Sequence, residues 1–233
     1  MKPRAILLDL GGTVLDEGTD DYRAGAQSLA AELRSLGGLV PRDPGALCET
    51  FIRECDRVHE TNVPDFTIAD WMRRLAPGAT GSELADLELA LWRATTSMTP
   101  MPGVAAALDR IRDLGIPMAI VSNAVFSARM LEYELLRHRL SAHFRFVLSS
   151  ADAGARKPDA RIFRKALDRL RESPSGVWFA GDSWEKDIVG SSACGMSPIW
   201  ISTAAPPAGG RVPHVRVASW GEFVNHLEGE VRG

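Results

Sequence analysis

The sequence predicts an α/β fold, a three-layer Rossmann-like parallel sheet with an inserted all-helical cap domain. Two observations predict it. Short apolar runs that end in polar or glycine-containing loops alternate with segments whose apolar residues recur at helical spacing, the pattern of βαβ units. Residues 17–99 interrupt this alternation with four helical patterns and no convincing strand. We therefore expect the cap to be inserted between the first strand and the rest of the sheet.

Five apolar runs are predicted to be the strands of the sheet. Each run is short, as expected of a buried parallel strand, and each ends in a loop. Ligands bind beyond the carboxyl ends of parallel strands, so we expect Asp9, Ser122 and Asp182, which lie at three of these ends, to converge. The runs cover residues 5–8, 117–121, 146–148, 177–180 and 198–201.

Helical patterns occupy most of the remaining chain. The patterns between the strands cover residues 104–114, 127–136, 160–170 and 186–194, and a last short one covers residues 220–227. The patterns in the insertion cover residues 22–36, 44–60, 69–75 and 83–96. Pro100 and Pro102 mark the return to the sheet. The predicted domains are therefore a catalytic core of residues 1–16 and 100–233 and a helical cap of residues 17–99.

Composition argues against several classes of function. The 27 Lys and Arg against 30 Asp and Glu give a formal net charge of −3, which offers no electrostatic reason to bind nucleic acid or an acidic membrane surface. No apolar run approaches the ~20 residues of a membrane span. Cys48, Cys55 and Cys194 form no C-x-x-C pair, and their odd number argues against a secreted disulfide framework. We therefore expect a cytoplasmic protein.

Two segments suit a phosphate group. Asp9 offers a carboxylate that can attack phosphorus, and the glycines that follow Leu10 let backbone N–H groups approach phosphate oxygens. Ser122, next to Asn123, offers a hydroxyl that can hydrogen-bond phosphate. Asp9 is therefore the candidate nucleophile. The candidate phosphate-binding residues are Leu10, Gly11, Ser122 and Asn123.

Two further segments supply charge. Lys157, at the start of a predicted helix, can neutralise a carboxylate and a transferring phosphoryl group, which makes it a second candidate catalytic residue. Asp182 and Asp187 follow a predicted strand, and two carboxylates at such an end suit a hard cation such as Mg²⁺. Each of these residues alone has an ordinary explanation as a turn, cap or surface residue. The order of the four segments together favours a catalytic site.

The chain resembles the haloacid dehalogenase-like superfamily over nearly its whole length. The resemblance rests on ILLDLGGTVL (6–15), IVSNA (120–124), SSADAGARKPDARIF (149–163) and VWFAGDSWEKDIVG (177–190), and the helical insertion resembles that superfamily's first type of cap. It implies an Mg²⁺-dependent phosphatase that acts on a small phosphorylated metabolite through an aspartyl-phosphate at Asp9. It also implies that Asp9, Asp182, Asp187 and the backbone carbonyl of Gly11 hold the metal.

The chain departs from this resemblance at Gly11. Phosphatases of the superfamily usually carry a second Asp there, whose general acid–base catalysis is worth roughly 10²–10⁴-fold. Three interpretations stay open. The leaving group departs without protonation, as an acyl phosphate or a sugar 1-phosphate would; another group supplies the proton; or the chain is a catalytically weak relative that binds a ligand or partner. The candidate proton donors are His59, Asp16, Glu17, Asp20 and Asp21.

Two other reactions of the superfamily also proceed without that second Asp. Phosphonoacetaldehyde hydrolases need a cap lysine for a Schiff base, and residues 17–99 contain no lysine. Haloacid dehalogenases usually carry an aromatic residue at the Gly11 position and need no metal, whereas Asp182 and Asp187 resemble the metal-binding form. A dehalogenase-type hydrolase is therefore the alternative enzyme. The sequence leaves the substrate, the oligomeric state and the pathway open.

Overall fold

A parallel sheet forms the centre of the molecule. The computed structural model describes residues 2–18, 20–37, 44–63, 66–208 and 210–232, without the side chains of Pro44 and His59. Its main sheet has six strands in the order β5-β4-β1-β6-β7-β8, and every neighbouring pair is parallel. The predicted fold class is confirmed. The strands are β1 (Ala5–Leu8), β4 (Met118–Ser122), β5 (Phe144–Ser149), β6 (Val177–Gly181), β7 (Ser197–Ile201) and β8 (Val215–Val217).

The sheet separates two apolar clusters, which explains the three layers. Successive side chains of β1 point to opposite faces, so Ile6 and Leu8 join one cluster while Ala5 and Leu7 join the other. Helices α5, α6 and α10 contribute to the first cluster, and α8 contributes to the second. The sheet is therefore buried on both faces. These helices span Val104–Asp113 (α5), Ala128–Arg137 (α6), Ala160–Leu170 (α8) and Trp220–Arg232 (α10), with the short helices Ser150–Ala153 (α7) and Gly190–Ala193 (α9).

Four helices lie between the first two long strands in the chain. They are α1 (Tyr22–Ser35), α2 (Pro44–Thr61), α3 (Ile68–Leu75) and α4 (Gly81–Thr95). Their apolar faces continue the first cluster of the sheet, with Leu29 of α1 and Leu91 of α4 fully buried in it. A short antiparallel ribbon of β2 (Leu15–Asp16) and β3 (Thr99–Pro100) joins the two chain segments that lead into and out of these helices. The division into a core and a cap of residues 17–99 stays a prediction.

Several elements differ from the sequence-based expectation. Strand β8 and the β2–β3 ribbon were not predicted, because two or three residues are too few to show a period in the sequence. The helix predicted over residues 186–194 begins instead as a π-helical turn over Trp184–Val189, followed by α9. The helix predicted over residues 220–227 continues to Arg232. The wide turn matters most, because it carries Asp187 at the end of β6.

The helices and the cysteines are the features that relate to the cellular location of the protein. None of the described helices combines the length and apolar character that crossing a bilayer requires. Cys48, Cys55 and Cys194 are free thiols. The cytoplasmic location stays a prediction.

Candidate active site

Asp9 leads from the central strand into a tightly bonded turn. Its backbone N–H donates to the Ala180 carbonyl at 2.9 Å, which extends the pairing of β1 with β6 by one residue. The Leu10 carbonyl then accepts from the N–H groups of Val14 and Leu15 at 2.8 and 2.9 Å. These bonds close the loop directly after Asp9. The carboxylate is thereby fixed at the carboxyl end of β1, where it is only 12% exposed.

Lys157 joins two of the predicted carboxylates. Its Nζ lies 2.6 Å from Oδ1 of Asp9 and 2.7 Å from Oδ1 of Asp187, and the exposed fractions of the Lys157 and Asp187 side chains are 1% and 0%. The angles of these contacts depart from hydrogen-bond geometry, so Nζ and Oδ1 of Asp187 have no hydrogen bond within the described chain. Two buried polar groups therefore keep bonding capacity at the point where the strands end.

The backbone of Lys157 is held by two asparagine side chains. Asn123 accepts from the Lys157 N–H through Oδ1 at 2.7 Å and donates to its carbonyl through Nδ2 at 2.9 Å. Asn62, after helix α2, donates to the same carbonyl at 3.1 Å. The side chain of Asn123, predicted to bind phosphate, thus contacts the lysine in this structure. Its phosphate contact stays a prediction.

The ionisable groups of the site influence one another strongly. Burial lowers the pKa of Lys157, but the charges of Asp187 and Asp9 outweigh burial and leave that pKa above its usual value. Burial raises the pKa of Asp187, more than the ammonium of Lys157 lowers it. Burial, reinforced by the charge of Asp9, also raises the pKa of Asp182. Asp9 and Asp187 share the Lys157 ammonium, whereas Asp182 makes no ion pair within the described chain.

The three carboxylates meet the requirements of a small divalent cation. Oxygens of Asp9, Asp182 and Asp187 all lie within 4.8 Å of one another. Hard cations such as Mg²⁺ prefer oxygen ligands and keep several waters, so a partly open group of carboxylates fits them. The described chain places no second ammonium or guanidinium in ion-pair contact with these three carboxylates. The donor set of three carboxylates is therefore consistent with Mg²⁺.

Two glycines allow the carboxylates to come this close. Gly12 has a φ of 70°, and a Cβ there would stand 2.5 Å from Oδ2 of Asp182. A Cβ at Gly181 would stand 2.3 Å from Oδ2 of Asp187. The same Oδ2 accepts from the N–H of Ser183 at 3.0 Å, which turns the Asp187 carboxylate back toward the end of β6. The wide π-helical turn and the glycines together place the metal-binding candidates.

Two adjoining cavities open at the strand ends. The first, of about 390 Å³, contains most of the predicted site residues and will be called the charged cavity. The second, of about 240 Å³, lies toward the inserted helices and will be called the apolar cavity. They share Gly11, Glu17, Ser122 and Asn123. The charged cavity also has Asp9, Arg156, Lys157 and Asp182 in its lining; the apolar cavity has Leu10, Tyr22, Phe51, Trp92 and Phe126.

Sequence reasoning missed two residues beside this site. Arg156 is buried, lines the charged cavity, and bonds through Nε to Oδ1 of Asn62 at 3.2 Å. Its second bond is to the hydroxyl of Ser150 at 3.3 Å. No motif marks Asn62, whose importance depends on where the end of α2 lies. Arg156 stood next to Lys157 in the sequence, and that adjacency was the one available signal.

The predicted proton donors occupy different places. Glu17 lines both cavities, Asp20 lines the apolar cavity, and Asp21 accepts from the N–H of Ala24 at 2.9 Å as the N-cap of α1. Asp16 lines neither cavity. The side chain of His59 lies outside the described part of the chain.

Comparison with known proteins identifies similar sequences. A family model described as haloacid dehalogenase-like hydrolase matches residues 3–195. Haloacid dehalogenase-like hydrolase domain-containing protein 3 of Xenopus laevis is 30% identical over 198 residues, 78% of each chain. The mouse protein of that name is 39% identical over 106 residues. That match covers 46% of this chain and 41% of the mouse protein. A phosphoserine phosphatase of Thermus thermophilus is 28% identical over 130 residues, 56% of this chain and 51% of that protein.

Solved structures share the fold. The HAD phosphatase from Thermococcus onnurineus has a TM-score of 0.65 at 22% identity and covers 98% of this chain and 99% of its own. A 2-haloacid dehalogenase from Pseudomonas syringae has a TM-score of 0.66 at 23% identity with the same coverage. The fold is therefore equally similar to a phosphatase and to a dehalogenase. The choice between these reactions rests on the site residues.

Proposed function

The chain belongs to the haloacid dehalogenase-like hydrolases, and on that premise we propose that it is an Mg²⁺-dependent phosphatase of a small phosphorylated metabolite. The observation that carries the proposal is the group of three carboxylates, Asp9, Asp182 and Asp187, around one buried lysine. A carboxylate nucleophile alone would serve a dehalogenase as well. A third carboxylate beside the Lys157 ion pairs suits a reaction in which a cation and a phosphate dianion enter together.

The proposed reaction has two steps at Asp9. A carboxylate oxygen of Asp9 forms a bond to phosphorus while the bond from phosphorus to the leaving oxygen breaks, and the leaving oxygen keeps the electron pair. Water then forms a bond to the same phosphorus, and the bond between phosphorus and Asp9 breaks. Inorganic phosphate leaves, and the Asp9 carboxylate is restored. Mg²⁺ bound by Asp9, Asp182, Asp187 and the Gly11 carbonyl would supply positive charge to the phosphoryl oxygens.

The remaining site residues position and neutralise the reacting groups. Lys157, held at 2.6 Å from Asp9, keeps that carboxylate oriented and offers positive charge to a transferring phosphoryl group. Ser122 lines the charged cavity, where its hydroxyl can donate to a phosphate oxygen. Asn123 acts through Lys157, since both of its polar side-chain atoms bond the lysine backbone. In this proposal Asn123 is a positioning residue.

Phosphate release from a panel of esters tests the proposal. The panel contains 4-nitrophenyl phosphate, phosphoserine and glycerol phosphate, each with Mg²⁺ and with EDTA, and 2-chloropropionate is the dehalogenase probe. We expect Mg²⁺-dependent phosphate release that Asp9→Asn abolishes. Asp16→Asn, a neighbouring acid that lines neither cavity, is the matched control and should retain wild-type activity.

Two outcomes would contradict the proposal. Chloride release that persists in EDTA would identify a dehalogenase. No turnover of any ester by the folded protein, or turnover that Asp9→Asn retains, would favour a binding protein or a different nucleophile.

A further inference from the structure

The space in front of Gly11 is occupied by another side chain. A Cβ built at Gly11 would stand 2.1 Å from Oε1 and 2.7 Å from Cδ of Glu17. The positive φ of this turn belongs to Gly12 and not to Gly11. The space that a side chain at position 11 would enter is therefore filled by a carboxylate, and no positive φ requires glycine there. The carboxylate that a side chain would have carried at position 11 is present, but it comes from six residues further along the chain.

Glu17 is also placed where the two cavities meet. It lines the charged cavity together with Asp9 and Lys157, and it lines the apolar cavity together with Trp92 and Phe126. A phosphate ester whose phosphorus reaches Asp9 has its phosphoryl oxygens in the charged cavity and its organic group in the apolar one. The oxygen that joins the two parts then lies at the junction. Glu17 is the described acid at that junction.

The backbone around Glu17 is constrained. Gly18 has a φ of 58°, and a Cβ there would stand 2.3 Å from the Ser97 carbonyl, so the chain at this point packs against the segment that returns from the insertion. Asp16, on the other side, belongs to the β2–β3 ribbon, paired with Thr99. Glu17 is thus carried on a turn with fixed neighbours on both sides.

None of the other acids of this segment lines both cavities. Asp21 caps α1. Asp20 accepts from the hydroxyl of Tyr22 at 2.8 Å, and it lines the apolar cavity but not the charged cavity. Oδ1 of Asp16 faces the N–H of Gly18 at 3.5 Å, and Asp16 lines neither cavity. Of the four acids in residues 16–21, Glu17 alone reaches both cavities.

We propose that Glu17 is the general acid and base of this enzyme and replaces the side chain that Gly11 lacks; this rests on the proposed phosphatase function. As the bond from Asp9 to phosphorus forms and the bond to the leaving oxygen breaks, the Glu17 carboxyl gives its proton to that oxygen, which departs as an alcohol. Glu17, now a carboxylate, takes a proton from water as the water oxygen bonds to phosphorus and the Asp9–phosphorus bond breaks. Glu17 ends protonated and Asp9 ends as a carboxylate.

Glu17→Gln tests the proposal through the leaving group. With glycerol phosphate, whose alkoxide leaves poorly, kcat/KM should fall by roughly 10²–10⁴-fold. With 4-nitrophenyl phosphate the first step needs little protonation, so the variant should show a burst of nitrophenol, followed by slow turnover as phosphorylated enzyme accumulates. Asp16→Asn should show neither effect. Equal activity of Glu17→Gln and wild type on both esters, without a burst, would overturn the proposal.

Moving the carboxylate from position 17 to position 11 supplies the second test. Glu17→Ala empties the space in front of Gly11, and Gly11→Asp in that background places a carboxylate into it. Turnover of glycerol phosphate should rise at least tenfold over Glu17→Ala alone. Failure to rise, with the melting temperature of the single variant retained, would count against a shared position of the two carboxylates.

Failure of this proposal is distinguishable from failure of the phosphatase function. If wild type shows no turnover that depends on Asp9, the phosphatase function fails and the role of Glu17 fails with it. If Asp9→Asn is inactive while Glu17→Gln matches wild type, the phosphatase function stands and only the role of Glu17 is wrong. Another group would then supply the proton to poor leaving groups.

Discussion

The two regions that meet over Asp9 are built from different side chains. At the strand ends, Asp9, Lys157 and Asp187 form ion pairs at 2.6 and 2.7 Å, and glycines bring the carboxylates together. Residues of the inserted helices, such as Tyr22, Phe51 and Trp92, line the neighbouring cavity with rings. The sheet edge therefore provides a fixed arrangement of charge, and the insertion provides aromatic rings. We infer that the reaction is set by the first region and the choice of substrate by the second.

Several polar contacts connect the two regions. Glu88 of α4 accepts from the N–H and the hydroxyl of Ser127, both at 2.7 Å, at the start of α6. Asn62 reaches the backbone of Lys157. The first contact joins helix to helix, and the second joins the insertion directly to Lys157. Variants in each region can separate what the two regions contribute to stability and turnover.

The largest effect is expected at Lys157. Lys157→Met removes the ammonium between two buried carboxylates, and breaking a buried pair in this way typically costs about 3–5 kcal/mol. Urea unfolding measures the change. Lys165→Met is the matched control, since Lys165 makes one bond, to the Ala153 carbonyl at 2.6 Å, and its loss should cost about 0.5–1.5 kcal/mol. Equal costs for the two variants would show that Lys157 does not hold the charged region together.

A smaller effect is expected at Gly12. Gly12→Ala places a Cβ 2.5 Å from Oδ2 of Asp182 at a φ of 70°, so it should cost roughly 2–3 kcal/mol and also weaken Mg²⁺-dependent turnover. Gly154→Ala has a similar φ of 62° and meets no atom within 4 Å, so it should cost only ~1–2 kcal/mol and leave turnover unchanged. Equal behaviour of the two variants would mean that the approach of Asp182 is unimportant.

The smallest effect is expected at Glu88, on the helical side. Burial raises the pKa of Glu88, so the folded state binds a proton more tightly than the unfolded state does. Its contribution to stability is then fully present below the unfolded pKa and is lost as pH rises through the raised folded pKa. The stability of wild type minus that of Glu88→Gln, measured by urea unfolding, should therefore fall as the pH rises above the ordinary pKa of a glutamate, about 4.3. A difference that is constant or rises with pH would contradict this.

The sequence predicted the sheet edge better than the insertion. Asp9, Ser122 and Asp182 could be placed because each follows an apolar run, and parallel strands bring such positions to one edge. The role of Asn62 depends on where α2 ends, and the role of Glu88 depends on how α4 meets α6; no local pattern encodes either. Even within a motif, the sequence does not predict every contact. The position of Asn123 at the strand end was predicted, but its contacts with the Lys157 backbone were not.

Glu17 could not be selected as the proton donor from the sequence alone. The sequence offered five candidate proton donors without a way to choose among them. The choice needed the distance between Glu17 and position 11, which depends on the turn at Gly18 and on the returning segment at Ser97.

Direct identification of the phosphorylated residue tests the central claim. Wild-type protein turning over 4-nitrophenyl phosphate with Mg²⁺ is quenched in acid, digested, and the phosphorylated peptide is located by mass spectrometry. We predict an acyl phosphate on Asp9 that hydroxylamine cleaves and that is absent from Asp9→Asn. Phosphate on another residue, or steady turnover by wild type without any phosphate on Asp9 in either wild type or Glu17→Gln, would contradict it.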